Sequence, residues 1–194
     1  MNSKIIRRLL ALVAFLSLSN CGFETVDTGK RGIWVRFGEV QGEPQPEGLY
    51  FYNPFTTDMI EYPVRETTWH SKTEIFTIDT QAVDVEFSVV YYPDPKQVGR
   101  LYKEIGGLDQ LEAKIIRNVV LGSIKDAVGK VKADELVGQR EKVASQALKE
   151  VREALAARSV IATGFQITDL QFGKAYREAV EAKVVATQEA QKAV

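Results

Sequence analysis

Residues 73–92 read TEIFTIDTQAVDVEFSVVYY, and this stretch decides the fold class. Thr73–Ile78 and Val83–Tyr92 are dense in β-branched and aromatic residues, which suit a pleated, half-buried surface better than a helix. Asp79, Thr80 and Gln81 separate the two runs by a short polar step, so together they read as a hairpin. In the second run Val83, Val85, Phe87 and Val89 share one side of a two-residue period, with Asp84, Glu86 and Ser88 on the other. That is the pattern of a strand with one core face.

Downstream, Pro93 and Pro95 close the sheet, and from Lys96 the apolar period becomes helical. Leu108, Leu111, Ile115 and Val119 form a stripe that Ile116, Val120 and Ile124 widen. A second long helix is expected from about Asp134 to Arg158, with Val143, Ala147, Val151 and Leu155 four apart and Glu141, Lys142, Lys149, Glu150 and Glu153 on a solvated face. Gly164 interrupts this pattern, and Phe165, Ile167 and Leu170 suggest one returning strand. Upstream, Ile33–Phe37 alternates as a strand, Gly42, Pro44, Pro46 and Gly48 predict a turn-forming loop, and Leu49–Tyr52 predicts a strand ended by Asn53-Pro54. The whole is an α+β chain, a β-rich half followed by a helical half.

The final segment, Ala175–Val194, contains no Gly or Pro and is built from helix formers. Only small apolar residues (Ala175, Ala179, Ala182, Val185, Ala186, Ala190) occupy its core-like spacings. An isolated helix of this length is marginal in water, so its order is expected to come from another chain. Ala175, Ala179, Ala182 and Ala186 allow close approach, and Glu178, Glu181 and Lys183 can pair across such a seam.

At the other end, Lys4, Arg7 and Arg8 precede the ten-residue apolar run Leu9–Leu18. A spanning helix needs about 20 such residues, so the run fits the core of a signal peptide better. Leu18-Ser19-Asn20-Cys21-Gly22 resembles the lipobox of bacterial lipoproteins, in which the cysteine is lipidated after cleavage. Cys21 is also the only cysteine, so no internal disulfide exists. Two readings stand: a lipoprotein lipidated at Cys21, or an uncleaved N-terminal anchor. Both attach the domain to a membrane, on the exported, periplasmic or extracytoplasmic side, and both put Lys30 and Arg31 forward as contacts for anionic headgroups.

The chain has 194 residues, 45% of them hydrophobic and 26% charged, so it can bury a sizeable core. Without the three N-terminal cations, 22 basic groups face 26 acidic ones, a net of −4 with no positive footprint for phosphate. Nucleic acid is excluded as a partner on that ground. Lys125, Lys130 and Lys132 are interrupted by Asp126, Asp134 and Glu135 and read as a solvated face.

Several segments together resemble the prohibitins, within the SPFH (band 7) family of stomatins, flotillins and the bacterial regulators of a membrane-bound AAA protease. Near the C-terminus these are Glu135-Leu136 with Gln139-Arg140-Glu141, Val143 and Gln146, then Phe172-Gly173-Lys174 and Glu178-Ala179-Val180-Glu181-Ala182-Lys183, with Ala186, Gln188, Glu189 and Ala190. Earlier, and in family order, come Phe37-Gly38, Gly48-Leu49-Tyr50-Phe51 with Pro54, Thr77 and Asp79, and Asp94-Pro95. The resemblance spans about residues 25–194. It implies a β-rich SPFH lobe over 28–92, an α/β lobe over 93–173 and a helix over 174–194 that begins a coiled coil, preceded by an anchor over 1–20 and a tether over 21–27. It further implies ring-like homo- or hetero-oligomers that corral membrane proteins, lipids or a AAA protease. In the family the coil continues well past the point corresponding to Val194.

A search for enzymatic chemistry yields little. His70 is the single histidine and lacks a plausible triad, and Cys21 sits at the anchor, far from it in sequence. Gly29-Lys30-Arg31-Gly32 and Gly106-Gly107 do not match a phosphate loop. Asp79, Asp84 and Glu86 read as a solvated face, so no metal, cofactor or catalytic residue is assigned. The leading expectation is a membrane-anchored, non-enzymatic scaffold. The alternative is a monomeric or small-oligomer lipoprotein that binds one protein or lipid partner through Trp34, Tyr50, Tyr52 and Trp69.

Overall fold

The computed structural model describes residues 22–192. Their order is β1 (Gly22–Val26), β2 (Lys30–Arg36), β3 (Glu39–Gln45), β4 (Gly48–Tyr52), β5 (Thr57–Pro63), β6 (Thr67–Phe76), β7 (Ala82–Pro93), α1 (Val98–Glu104), α2 (Leu108–Leu111), a π-helical turn (Glu112–Ile116), α3 (Arg117–Val128), α4 (Ala133–Leu136), α5 (Arg140–Ala156), β8 (Val160–Phe172) and α6 (Lys174–Lys192). The α+β class with strands first, helices after and a terminal helix is observed.

Two compact units result, and they interleave in sequence. Among the described residues, the first holds 22–65 and 93–108, the second 66–92 and 109–192. This division differs from consecutive lobes meeting at residue 92. Helix α1, whose Val98 and Leu101 are buried, finds its cover on β2 and β3, while the β6–β7 hairpin belongs with the later helices.

In the first unit β1 pairs with β4, and a separate sheet has the order β3-β2-β5. Gly22–Val26, expected as a tether, is a strand in register with β4, Phe23 opposite Phe51 and Thr25 opposite Leu49. The Gly/Pro-rich stretch expected as a loop is instead the edge strand β3, its register with β2 shifted between Gly32 and Trp34. An edge position tolerates Pro44 because no ladder donor is needed on the outer side, and Gly42 takes φ 70° there. Strand β5 went unread in the sequence.

The core of this unit includes Ile33, Met59 and Tyr62. The Tyr62 ring meets Tyr102 edge-on at 6.5 Å, but its buried hydroxyl finds no hydrogen-bond partner among the described residues, and burial pushes the phenol up to about 12. A buried unsatisfied oxygen is a cost, so Tyr62→Phe is expected to match or exceed the parent in stability, by up to about 1 kcal/mol. Urea titration checks this, and a clear loss would show that the hydroxyl is satisfied.

In the second unit the sheet order is β6-β7-β8. Val83, Val85, Phe87, Val89 and Tyr91 are all buried on one face of β7, as the alternation predicts. On the helices Leu111, Ile116, Val120 and Ile124 are buried, while Ile115 and Val119 are only half-buried. The π-helical turn lies between Leu111 and Arg117, and its extra residue moves the stripe from 115/119 to 116/120/124. The second helical stretch is broken at Val137-Gly138-Gln139 into α4 and α5, with Val143, Ala147, Val151 and Leu155 buried as expected. Strand β8 is longer than the sequence suggested. Arg152 clamps it by donating to the carbonyls of Ala162 and Thr163, each at 2.9 Å, and Gly164 lies within it beside Val90.

Candidate functional site

Helix α6 leaves β8 through Gly173, and its first turn is tied back by Tyr176, whose ring lies 5.0 Å from Phe172. From Arg177 to Glu189 every side chain is exposed. Val180, Val184 and Val185 are 41%, 48% and 52% exposed, although each is apolar enough to favour burial. Tyr176, Val180 and Val184 stand four apart on one helix face. That face forms one wall of a groove of about 550 Å³, and Asp79 and Asp134 contribute to its lining.

The residues singled out for association all lie on this helix. Ala175, Ala179, Ala182 and Ala186 follow an i, i+4, i+7, i+11 spacing along one flank, and only Ala179 reaches the groove. Lys183 also lines the groove, Glu178 pairs with Lys174 of its own helix at 3.5 Å, and Glu181 is exposed. Val180 and Val184 were missed as candidates. Their four-residue step from Tyr176 was legible in the sequence, but the alanine stripe drew the reading away from it.

Asp79 fastens the hairpin below α6. Its Oδ1 accepts from the Thr77 hydroxyl at 2.6 Å and from the Ala133 amide at 3.1 Å, so a hairpin residue caps α4 from 54 positions away. These bonds, the Thr77 hydroxyl first, hold the Asp79 carboxyl below its ordinary value of 3.8. Because the folded value is depressed, the stabilisation is present above about pH 4 and is lost as pH falls through that lower value. Asp79→Ala is therefore expected to lower the urea midpoint at neutral pH, with the gap to the parent narrowing in strong acid. An equal gap at both extremes would contradict a role for the charge.

Lys30 and Arg31, expected near headgroups, are engaged within the fold. Lys30 Nζ reaches Asp27 at 2.9 Å and Glu61 at 2.5 Å, and Arg31 reaches Glu47 at 2.9 Å. The Glu61 bond leads in raising the Lys30 ammonium, and the same bond lowers the Glu61 carboxyl. Both cations sit where β2 starts, after the strand β1 that stands where a tether was expected. Cys21 and residues 1–20 lie outside the described residues.

The aromatic residues of the alternative reading are used in packing. Trp34 meets Tyr50 and Tyr52 at 5.9 and 5.6 Å in the first unit, and Trp69 meets Phe87 at 6.0 Å in the second. His70 is exposed on β6 opposite Ser88. Among the described residues no three His, Cys, Asp or Glu side chains gather as a metal site, and no helix is long and apolar enough to cross a membrane.

Compared with known proteins, residues 24–194 match the SPFH domain / Band 7 family. The chain belongs to this family. Among SPFH relatives, it is 34% identical over 169 residues to Mitochondrial prohibitin complex protein 1 of Caenorhabditis elegans, covering 87% of this chain and 61% of that protein. It is 31% identical over 185 residues to Prohibitin 1 of Mus musculus, covering 95% and 67% respectively. With Prohibitin-2 of Schizosaccharomyces pombe it shares 29% over 169 residues, covering 87% and 58%. The chain thus spans about six-tenths to two-thirds of the length of these SPFH proteins.

Proposed function

We propose that this SPFH protein is a membrane-anchored, non-catalytic scaffold that assembles side by side with copies of itself or of a paralogue. In this reading the assembly organises membrane microdomains or regulates membrane proteins, a membrane-bound AAA protease among them. The observation that carries it is α6, a regular helix of 19 residues whose Val180, Val184 and Val185 are left about half exposed. Apolar side chains on a helix too weak to stand alone are accounted for by a neighbouring chain. The name of one relative, a prohibitin complex protein, points the same way.

Anchoring is assigned to residues 1–21, with lipid on Cys21, and places the domain on the exported face. Each copy then stands on the same plane, and a head-to-tail contact repeated there closes into a ring. The alternative, a monomeric or small-oligomer lipoprotein binding one partner through Trp34, Tyr50, Tyr52 and Trp69, is the weaker reading because these rings pack on one another or on Phe87.

The test is size. Protein cross-linked in the membrane and then extracted is expected to run at many times the 21.7 kDa of one chain. A monomer under those conditions would refute the scaffold. Radiolabelled palmitate is expected to enter the parent and not Cys21→Ala, and an intact Met1–Asn20 segment on the mature protein would remove the lipoprotein assignment.

A further inference from the structure

The second unit carries another groove, of about 730 Å³, between α5 and the end of α3 with the turn that follows it. Its floor is apolar: Ala127 and Val143 are each 3% exposed, and Val131 is half-buried. Its rim is cationic, with Lys130, Lys142 and Lys149 all exposed. A hollow of about 450 Å³ continues along α5 past Ser145 and Lys149 as far as Glu153. The feature is therefore a trough that follows the helix and not a closed cavity.

A solvated helix face usually holds its own ion pairs, three or four residues apart. Lys142 has Gly138, Gln139, Ser145 and Gln146 at those positions, and none is acidic. Lys149 has Glu153 within that reach, yet makes no ion pair with it. The two glutamates nearest the trough are taken by neutral amides instead. Gln139 Nε2 donates to Glu135 and Gln146 Nε2 to Glu150, each at 2.8 Å, and Lys130 also reaches Glu150 at 3.5 Å. Acids outnumber Lys and Arg in the chain by 26 to 25, but among the described residues none neutralises Lys142 or Lys149.

We infer that this trough docks an acidic amphipathic segment of a partner protein, its carboxylates pairing with Lys142 and Lys149 and its apolar side chains resting on Ala127, Val131 and Val143. The two lysines stand two helical turns apart, about 10 Å along the axis of α5. That interval matches carboxylates one heptad apart on a partner helix, whereas a single phosphate is too small to bridge it. A row of acids on a peptide is thus selected over a lipid headgroup. The α6 helix of a second copy fits poorly, because Lys174, Arg177, Lys183 and Lys192 against Glu178, Glu181 and Glu189 leave it at +1. The inference needs neither the anchor nor assembly through α6.

The test is fluorescence anisotropy of the full chain in detergent with a labelled synthetic helical peptide of about 15 residues, glutamates one heptad apart among alanines and leucines. The parent is expected to bind it, and Lys142→Gln/Lys149→Gln to weaken binding about five- to ten-fold. Lys114→Gln/Lys125→Gln removes the same charge from exposed positions outside the trough and is expected to bind like the parent. Lys142→Glu/Lys149→Glu is expected to prefer a peptide with lysines in place of the glutamates. Circular dichroism confirms the fold of each variant. No binding by the parent, or an equal loss in the Lys114/Lys125 variant, would overturn the site. If the parent binds phosphatidylglycerol micelles and not the peptide, with that binding lost in Lys142→Gln/Lys149→Gln, a headgroup is the ligand and the inference falls. A smaller cross-linked assembly in the same variant would give the trough to a second copy, which also overturns it.

Discussion

Deleting Ala175–Val194 is expected to leave a folded domain that no longer assembles. The core of the second unit is complete without the segment, because its buried residues end at Ile167 and α6 buries none. The helix is tied to the body at its base, where Tyr176 meets Phe172, so thermal stability is expected to fall by no more than about 2–4 °C, the equivalent of roughly 1 kcal/mol. Assembly is expected to depend on the same residues far more strongly, since Val180, Val184 and Val185 stay 41%, 48% and 52% exposed. Mass photometry of parent and truncation in one detergent reads the result. A truncation that keeps a large mass would move the contact elsewhere, and a large fall in melting temperature would make α6 part of the core.

The second large effect is expected at Phe87. This ring is 1% exposed at the middle of β7, stacked on Phe165 at 5.6 Å with an 11° tilt, and flanked by Trp69 at 6.0 Å. Phe87→Ala removes the ring between two neighbours that ladder bonds hold in place, so the cavity cannot close. A loss of about 3–5 kcal/mol follows from large-to-small changes at such sites. The corresponding fall in melting temperature is roughly 6–20 °C for a chain of this size, read by thermal circular dichroism, with loss of the near-ultraviolet signal of Trp69. A midpoint within a few degrees of the parent would mean that the sheet and helices do not close-pack at this ring.

The assembly proposed above would use two sides of α6. Tyr176, Val180 and Val184 face the groove with Asp79 and Asp134, whereas Val185 stands five residues past Val180 on another part of the helix surface. A helix with apolar residues on two different faces suits a chain with a neighbour on each side, as a ring requires.

The parts legible in the sequence are those fixed by local chemistry. The alternation of Val83, Val85, Phe87 and Val89 determined strand β7 and its core face, Asn53-Pro54 ended β4, the four-residue step from Val143 to Leu155 set the buried stripe of α5, and the Gly-free tail determined α6. In each case periodicity or backbone stereochemistry acts within a few residues, so no distant partner is needed to read it.

Tertiary structure decided the rest. The run from Gly42 to Gly48 has turn chemistry, yet pairing with β2 draws most of it into an edge strand, and Gly22–Val26 becomes a strand only because β4 offers it an edge. The π-helical turn shifts the buried stripe by one residue, which spacing measured in single positions cannot foresee. Asp79 becomes a cap for a helix 54 residues away. Lys30 and Arg31 lie close to Cys21 in sequence, but the fold engages them with Asp27, Glu61 and Glu47, which sequence spacing alone does not show. Proximity in space is set by pairing between strands remote in sequence, and that information resides in no single segment of the chain.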